Sequence, residues 1–111
     1  MTAPLHPGLA SGGFESLTLA EQLGNIGSEV SRALTAAALQ NDHRMRSALD
    51  RALELFDLTI GDPKNRGRLK EVCRAREVVC DFFFGGNRYS TTPQSIDRYF
   101  TQFALYARRA R

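Results

Sequence analysis

The sequence predicts an all-α protein, an antiparallel four-helix bundle with up-down-up-down topology. Four helix-start signals are each followed by apolar residues at spacings of three and four, the period of a helix with one buried face. The connections between these segments are short, which places consecutive helices side by side in opposite directions. No stretch alternates apolar and polar residues as half-buried strands do. The chain has 111 residues, of which 42% are hydrophobic, enough for one core.

The first predicted helix spans about 18–39 and begins with Thr-Leu-Ala-Glu, which has the form of a capping box. Residues 1–15 hold two prolines and three glycines and are predicted to be a disordered leader, so the predicted domain covers 16–111. A stripe of small residues, including Gly24 and Gly27, runs beside the apolar stripe. Glycine inside a helix costs about 1 kcal/mol relative to alanine. We therefore expect another backbone to approach the helix closely there.

The second predicted helix spans about 42–60 and is capped at Asn41. Its predicted buried face consists of Met45, Leu49, Ala52, Phe56 and Ile60. Leu55 and Leu58 point away from this face, near Arg51. These three residues either belong to a wide core face or form an exposed apolar patch for a partner.

The third predicted helix spans 63–84 and starts in the run DPKNRGRLKE, which holds four basic residues in ten positions. Gly61 is expected to end the preceding helix in the left-handed conformation, Asp62 to cap the next helix, and Pro63 to occupy its first position. At 100° per residue, the basic residues fall on two edges. One edge holds Arg66, Lys70 and Arg74, and the other holds Lys64 and Arg68. The predicted core face holds Leu69, Val72, Cys73, Val79, Cys80 and Phe83. A split charge run of this kind is typical of a solvated helix face.

The fourth predicted helix runs from about 93 to the C-terminus, because Thr92 and Pro93 repeat the cap-and-proline start. Its apolar stripe consists of Ile96, Tyr99, Phe100, Phe103, Tyr106, Ala107 and Ala110. The connection before it contains two glycines and Arg88, a combination that can hold an anion. The strand and the spacing of a phosphate loop are missing, so we expect Tyr89 of this loop to pack back on the bundle.

Arg76 falls near the middle of the apolar face of the third helix, where an unpaired charge costs several kcal/mol. It is therefore expected to meet a carboxylate. The candidate partners are Glu29, Asp50, Glu54 and Asp57. A partly buried ion pair that fixes helix register is one interpretation, and a ligand-binding arginine in a pocket near Tyr99 is the other.

Several classes of chemistry lack their sequence signals. Cys73 and Cys80 are seven residues apart in one predicted helix, about 10 Å along its axis, so they cannot form a disulfide and are expected to be inert core residues. There is no Glu-x-x-His or Cys-x-x-Cys motif, so neither a metal nor another cofactor is predicted, and no catalytic residue is assigned. No apolar run is long enough to span a membrane, so we expect a cytoplasmic protein.

Four segments carry a resemblance to known sequences: NIGSEV, ALELFDLTI, DPKNRGRLKE and CRAREVVCDFFFGGNRY. Across residues 16–109 the chain resembles a group of small uncharacterised bacterial all-helical proteins. The resemblance implies a single self-contained bacterial domain. It assigns no function and no catalytic residue.

The sequence favours a non-catalytic interaction module that binds itself, as a homo-oligomer, or another protein. The contacts expected for it are Leu55, Leu58, Arg51 and the aromatic fourth helix. The alternative is an accessory protein that binds RNA or DNA, permitted by a net charge of +3. The contacts expected for it are Lys64, Arg66, Arg68, Lys70, Arg74 and Arg88. A pocket formed by Arg76, Tyr99 and the carboxylates of the second helix is a third hypothesis.

Overall fold

The computed structural model describes residues 13–109, and these form an all-α four-helix bundle, as the sequence predicts. The helices are α1 (Leu19–Ala38), α2 (Asp42–Gly61), α3 (Leu69–Phe84) and α4 (Pro93–Arg109). Two short 3-10 segments, Phe14–Ser16 and Pro63–Arg68, precede α1 and α3. The described residues contain no β-strand.

The predicted start signals of the helices are present as hydrogen bonds. The amide of Glu21 donates to Thr18 Oγ1 (3.1 Å), and the amide of Thr18 donates to Glu21 Oε1 (3.0 Å), which completes the capping box of α1. Asn41 Oδ1 accepts an amide from the first turn of α2. At α4, Ser95 and Thr92 each donate a backbone amide to the other's hydroxyl, both at 3.1 Å.

The core lies between α1, α2 and α4, with α3 packed on α2. The most extensive pairings are α1 with α2 and α1 with α4, whereas α3 has little direct contact with α4. The buried large side chains of the core are Phe14, Leu23, Ile26, Val30, Leu49, Leu55, Phe56, Val72, Val79, Ile96 and Phe100. Three sides of the bundle are therefore closed by helix packing, and the side between α3 and α4 is not.

The small-residue stripe of α1 is where α4 approaches, as predicted. A methyl group built on Gly24 would lie 3.5 Å from the Cα of Ala104, and one built on Gly27 would lie 2.5 Å from the Cβ of Phe100. The second distance is too short for two carbon atoms that are not bonded. Glycine at position 27 is therefore required by the packing of α1 against Phe100 of α4.

The predicted boundary between leader and domain is wrong for the residues just before 16. Phe14 is 1% exposed and belongs to the core, and its carbonyl oxygen accepts a hydrogen bond from Gln22. Burying a phenylalanine stabilises a fold by roughly 1.5–3 kcal/mol, so Phe14 belongs to the domain and not to a leader. The rest of the predicted leader, residues 1–12, lies outside the described residues.

Of the two interpretations of Leu55, Leu58 and Arg51 on α2, the exposed apolar patch is wrong. Leu55 is 2% exposed, and Leu58 is half-buried and packs against the core. The reason is that α1 and α3 cover two sides of α2, so its core face is wider than one stripe. Arg51 pairs with Glu29 (Nε–Oε2 2.8 Å). The wide core face is thus the interpretation that the structure supports.

The third helix begins with a different type of helix from the one predicted. Asp62 caps it, with the amide of Lys64 donating to Asp62 Oδ1 (3.1 Å), but the residues from Pro63 to Arg68 form a 3-10 helix before α3 begins. A wheel drawn at 100° per residue therefore misplaces them. Gly61 is not left-handed either. The helix ends because Asp62 turns extended (ψ 118°), as a residue before proline prefers.

Candidate functional site

The open side of the bundle is an apolar groove between α3 and α4, with a cavity of about 340 Å³. This volume is within the range of about 300–1,000 Å³ typical of ligand pockets. The groove is lined by Ala75, Val78, Val79, Ile96, Tyr99 and Phe100, with Glu71, Arg74, Thr91 and Ser95 at its edges. It exists because α3 rests on α2 and α4 rests on α1, and the two helices do not close on each other.

The floor of the groove is rigid and its walls are partly exposed. Val79, Ile96 and Phe100 are buried and form the floor. The ring of Phe100 is fixed by edge-to-face contacts with Phe56, at a centroid distance of 6.2 Å, and with Tyr99, at 5.1 Å. Val78 and Tyr99 are only half-buried, although both face the groove. A bound apolar group would therefore remove further apolar surface from water.

The ionisable groups that line the groove suit binding better than proton transfer. Glu71 is paired with Arg68, whose Nε lies 3.0 Å from Glu71 Oε2. Burial raises the pKa of the Tyr99 hydroxyl, and the nearby carboxylate of Glu71 adds to this, so Tyr99 is uncharged at neutral pH. The guanidinium of Arg74 stacks over the ring of Tyr89, 4.9 Å from its centroid.

The backbone amides of the loop between α3 and α4 are bonded to a carboxylate of the protein itself, that of Asp81. The carboxylate of Asp81 accepts the amides of Arg88 (2.8 Å) and Tyr89 (3.0 Å). Asn87 ties the loop further, since its side chain donates to the carbonyl of Thr91 and accepts the amide of Thr91, both at 2.8 Å. The amides that an external phosphate would need are therefore in use.

A polar cluster that the sequence patterns do not predict joins α1 to the start of the third helix. Its members are Gln22, Thr59, Asp62, Lys64 and Asn65. The amide nitrogen of Gln22 donates to the carbonyl of Phe14 (3.0 Å) and to Asp62 Oδ2 (2.9 Å), and its oxygen accepts from Asn65 Nδ2 (2.8 Å). The signal in the sequence is that Gln22 lies on the apolar face of α1.

This polar cluster fixes the DPKN turn and is structural. Asn65 also donates to the carbonyl of Thr59 (2.9 Å), and Lys64 donates to Asp62 and to the carbonyl of Glu15. Gln22, Asp62 and Asn65 are each at least 95% buried, and the groups named here have partners within the cluster. The first four residues of the run DPKNRGRLKE thus hold the fold together, because the polar side chains of Asp62, Lys64 and Asn65 are bonded within the protein.

Asp62→Asn is expected to reduce the free energy of unfolding by about 2 kcal/mol at pH 7, because hydrogen bonds to a charged group are lost. The bond from Lys64 lowers the pKa of Asp62, with those from Gln22 and the Lys64 amide, against the opposing effect of burial. A lowered folded-state pKa adds stability that is complete above the unfolded value of about 3.9 and is lost as the pH falls towards the folded value.

Urea unfolding of both proteins between pH 7 and pH 2.5 tests this. The difference between wild type and Asp62→Asn should be constant above about pH 5 and shrink below about pH 4. A difference that stays constant to the lowest pH would contradict the assignment of a charged Asp62.

Arg76 pairs with Asp57, one of its four predicted partners, at 3.4 Å between Nε and Oδ1. Its Nη1 lies 4.0 Å from Cys80 Sγ, and its buried Nε has no hydrogen bond in the described part of the chain. Of the other candidates, Glu29 pairs with arginines of α1 and α2, Asp50 is exposed and Glu54 is half-buried. Arg76 lines a shallow depression beside α2, whereas Tyr99 lines the groove. The predicted pocket that combined them is therefore not formed.

The predicted positions of the two cysteines are partly wrong. Both are free thiols, but Cys73 is exposed and Cys80 is half-buried, so neither is a core residue. The buried positions of α3 are Val72, Ala75 and Val79. The apolar face of α3 is turned further towards the groove than the sequence pattern indicates.

Half of the predicted nucleic-acid contacts are engaged within the protein. Lys64 is held by Asp62, Arg68 by Glu71, and Arg74 stacks on Tyr89. All six side chains are exposed, and the three without such a contact among residues 13–109 are Arg66, Lys70 and Arg88. The described structure therefore leaves a smaller basic surface than the sequence suggests.

No family model, no curated protein and no solved structure matches this chain. The resemblance to uncharacterised bacterial proteins therefore stays a prediction. Within residues 13–109, no cluster of three or more His, Cys, Asp and Glu side chains can hold a metal ion. Among the described helices, none has both the length and the apolar character to cross a membrane.

Proposed function

We propose that this chain is a non-catalytic protein-interaction module of the cytoplasm, and that the groove between α3 and α4 receives an amphipathic helix. The observation that carries the proposal is the open fourth side of the bundle, which is lined by apolar side chains of both helices. An amphipathic helix laid in an apolar groove is a recurring mode of protein recognition. Such a helix would complete the packing that α3 and α4 leave unfinished.

Two features of the groove favour a helix over a substrate. Its walls are formed by about two turns of each helix, 71–79 of α3 and 95–100 of α4, so the space between them suits the apolar stripe that a helix presents. The titratable groups at its edges form no acid–base pair: Glu71 is ion-paired with Arg68, and Arg74 keeps its positive charge while it stacks on Tyr89. No pair among the groove-lining residues has the arrangement of a general acid and base.

Val78→Glu is expected to weaken the binding of an amphipathic peptide at least about tenfold, since a carboxylate would have to lose its water against the apolar floor. The probe is a fluorescent peptide of 16 residues, the length of α3, with leucines at helical spacing and uncharged polar residues elsewhere. Its dissociation constant is measured by fluorescence anisotropy. Val78 is half-buried, so the variant is expected to fold, which circular dichroism checks.

The matched control is Thr101→Glu, which adds the same charge to α4 at an exposed position outside the groove. It should bind the peptide as the wild type does. Equal affinities of the two variants, or no binding by the wild-type protein, would contradict the proposal.

Nucleic-acid binding is the alternative proposal, supported by the exposed side chains of Arg66, Lys70 and Arg88. Binding of this kind weakens steeply with salt, because it releases counterions from the phosphates. Anisotropy of a labelled RNA separates the two proposals. RNA binding that salt abolishes and that Val78→Glu leaves unchanged would favour the alternative.

A further inference from the structure

The groove has an uncompensated positive charge at its edges, and we infer that its occupant is an acidic amphipathic helix of a different protein. This inference rests on the proposed function and names the partner's chemistry. An apolar stripe on that helix would face Val78, Tyr99 and the floor. Glu or Asp residues flanking the stripe would face the cations at the edges.

On the α3 side, the acidic residue that lines the groove is already paired, because Glu71 forms an ion pair with Arg68. The other two acidic residues on this side of α3 keep their charges but lie outside the lining: Asp81, whose oxygens accept amides from the loop, and the exposed Glu77. Arg74 lines the groove and has no ion pair within the described residues. The stacking of Arg74 on Tyr89 leaves its charge in place, so Arg74 is the unpaired charge among the residues that line this edge.

On the α4 side, helical spacing brings a second arginine to the edge. Ser95 lines the groove. Arg98, three residues further on, is turned only about 60° from Ser95, whereas Asp97 is turned about 160° away. Both are exposed, and neither forms an ion pair among residues 13–109. Arg74 thus lines the groove on α3, and Arg98 lies beyond Ser95 on α4, next to the lining residues rather than among them.

A second copy of this chain does not offer a matching helix. The exposed large apolar residues of the described chain are Leu39, Phe84, Tyr89, Leu105 and Tyr106. The pair on α4 is followed by Arg108 and Arg109, which would repel a positive groove. The acidic residues of α2, such as Asp50 and Asp57, lie on a helix without an exposed large apolar side chain. Charge complementarity thus points to another protein.

The inference is tested with three versions of the 16-residue peptide, which share the leucine stripe and differ in flanking residues: glutamate, lysine or uncharged. The acidic version should bind at least about tenfold more tightly than the basic one at low salt, and the ratio should fall as salt is added. Arg74→Gln and Arg98→Gln should each reduce the ratio. Arg46→Gln, at an exposed position on α2, is the matched control and should leave it unchanged.

The outcomes separate this inference from the proposed function. Equal binding of all three peptides, abolished by Val78→Glu, would overturn the acidic partner and keep the helix-binding groove. Binding by none of them would overturn both. A fourth peptide, with glutamates but with serines in place of leucines, should not bind. If it bound as well as the acidic helix, the attraction would be general and the inference would fail.

Discussion

Gln22→Leu is expected to lower the free energy of unfolding by about 2–4 kcal/mol, because several buried polar groups lose a partner at once. The carbonyl of Phe14, the carboxylate of Asp62 and the amide of Asn65 all bond to the Gln22 side chain, which is completely buried. The sequence pattern alone suggests the opposite result, since leucine would complete the apolar stripe of α1.

Urea unfolding at pH 7, followed by circular dichroism, measures this effect. Asn25→Leu is the matched control, because Asn25 is exposed on the same helix, and its effect should stay within about 0.5 kcal/mol. A Gln22→Leu variant as stable as wild type would mean that the polar cluster does not hold the start of the third helix to α1.

Gly27→Val is expected to destabilise the fold by about 3 kcal/mol, at the upper end of the usual cost of overpacking. The added Cβ would stand 2.5 Å from the Cβ of Phe100, which cannot rotate away as the end of a flexible side chain can. The helix α4 would have to move away from α1. Because Phe100 also forms the floor of the groove, the same variant should weaken peptide binding.

Gly24→Ala, in the same stripe of small residues on α1, is expected to stabilise the fold rather than destabilise it. Its methyl group would make an ordinary contact of 3.5 Å with Ala104, and alanine gains about 0.5–1 kcal/mol over glycine inside a helix. Thermal unfolding of both variants tests the pair. Destabilisation by Gly24→Ala equal to that by Gly27→Val would contradict the described packing of α1 on α4.

Local signals in the sequence were sufficient to place the starts of α1, α2 and α4. The capping box at Thr18, the cap at Asn41 and the Thr92–Pro93 start act within one turn of chain, and the structure contains each of them. The two glycines of α1 predicted a close helix contact because their cost inside a helix needs a compensating approach.

The features that the sequence did not reveal depend on which helices become neighbours. Leu55 is buried because α2 lies between two helices, and Cys73 is exposed because α3 turns its face towards the groove. The groove itself is a gap between α3 and α4, which no periodicity within one helix can indicate. The polar cluster joins Gln22 to Asn65 over 43 positions of sequence, a contact that only the tertiary fold creates.

Nuclear magnetic resonance mapping of the acidic peptide on the isotope-labelled protein shows which face of the bundle receives the helix. We expect the backbone amides that shift on titration to be those of Ala75, Val78, Ser95 and Tyr99, on the two helices that border the groove. Shifts that cluster instead on the outer surface of α1 and α2, or no shifts at a saturating peptide concentration, would contradict the assignment of the groove as the binding site.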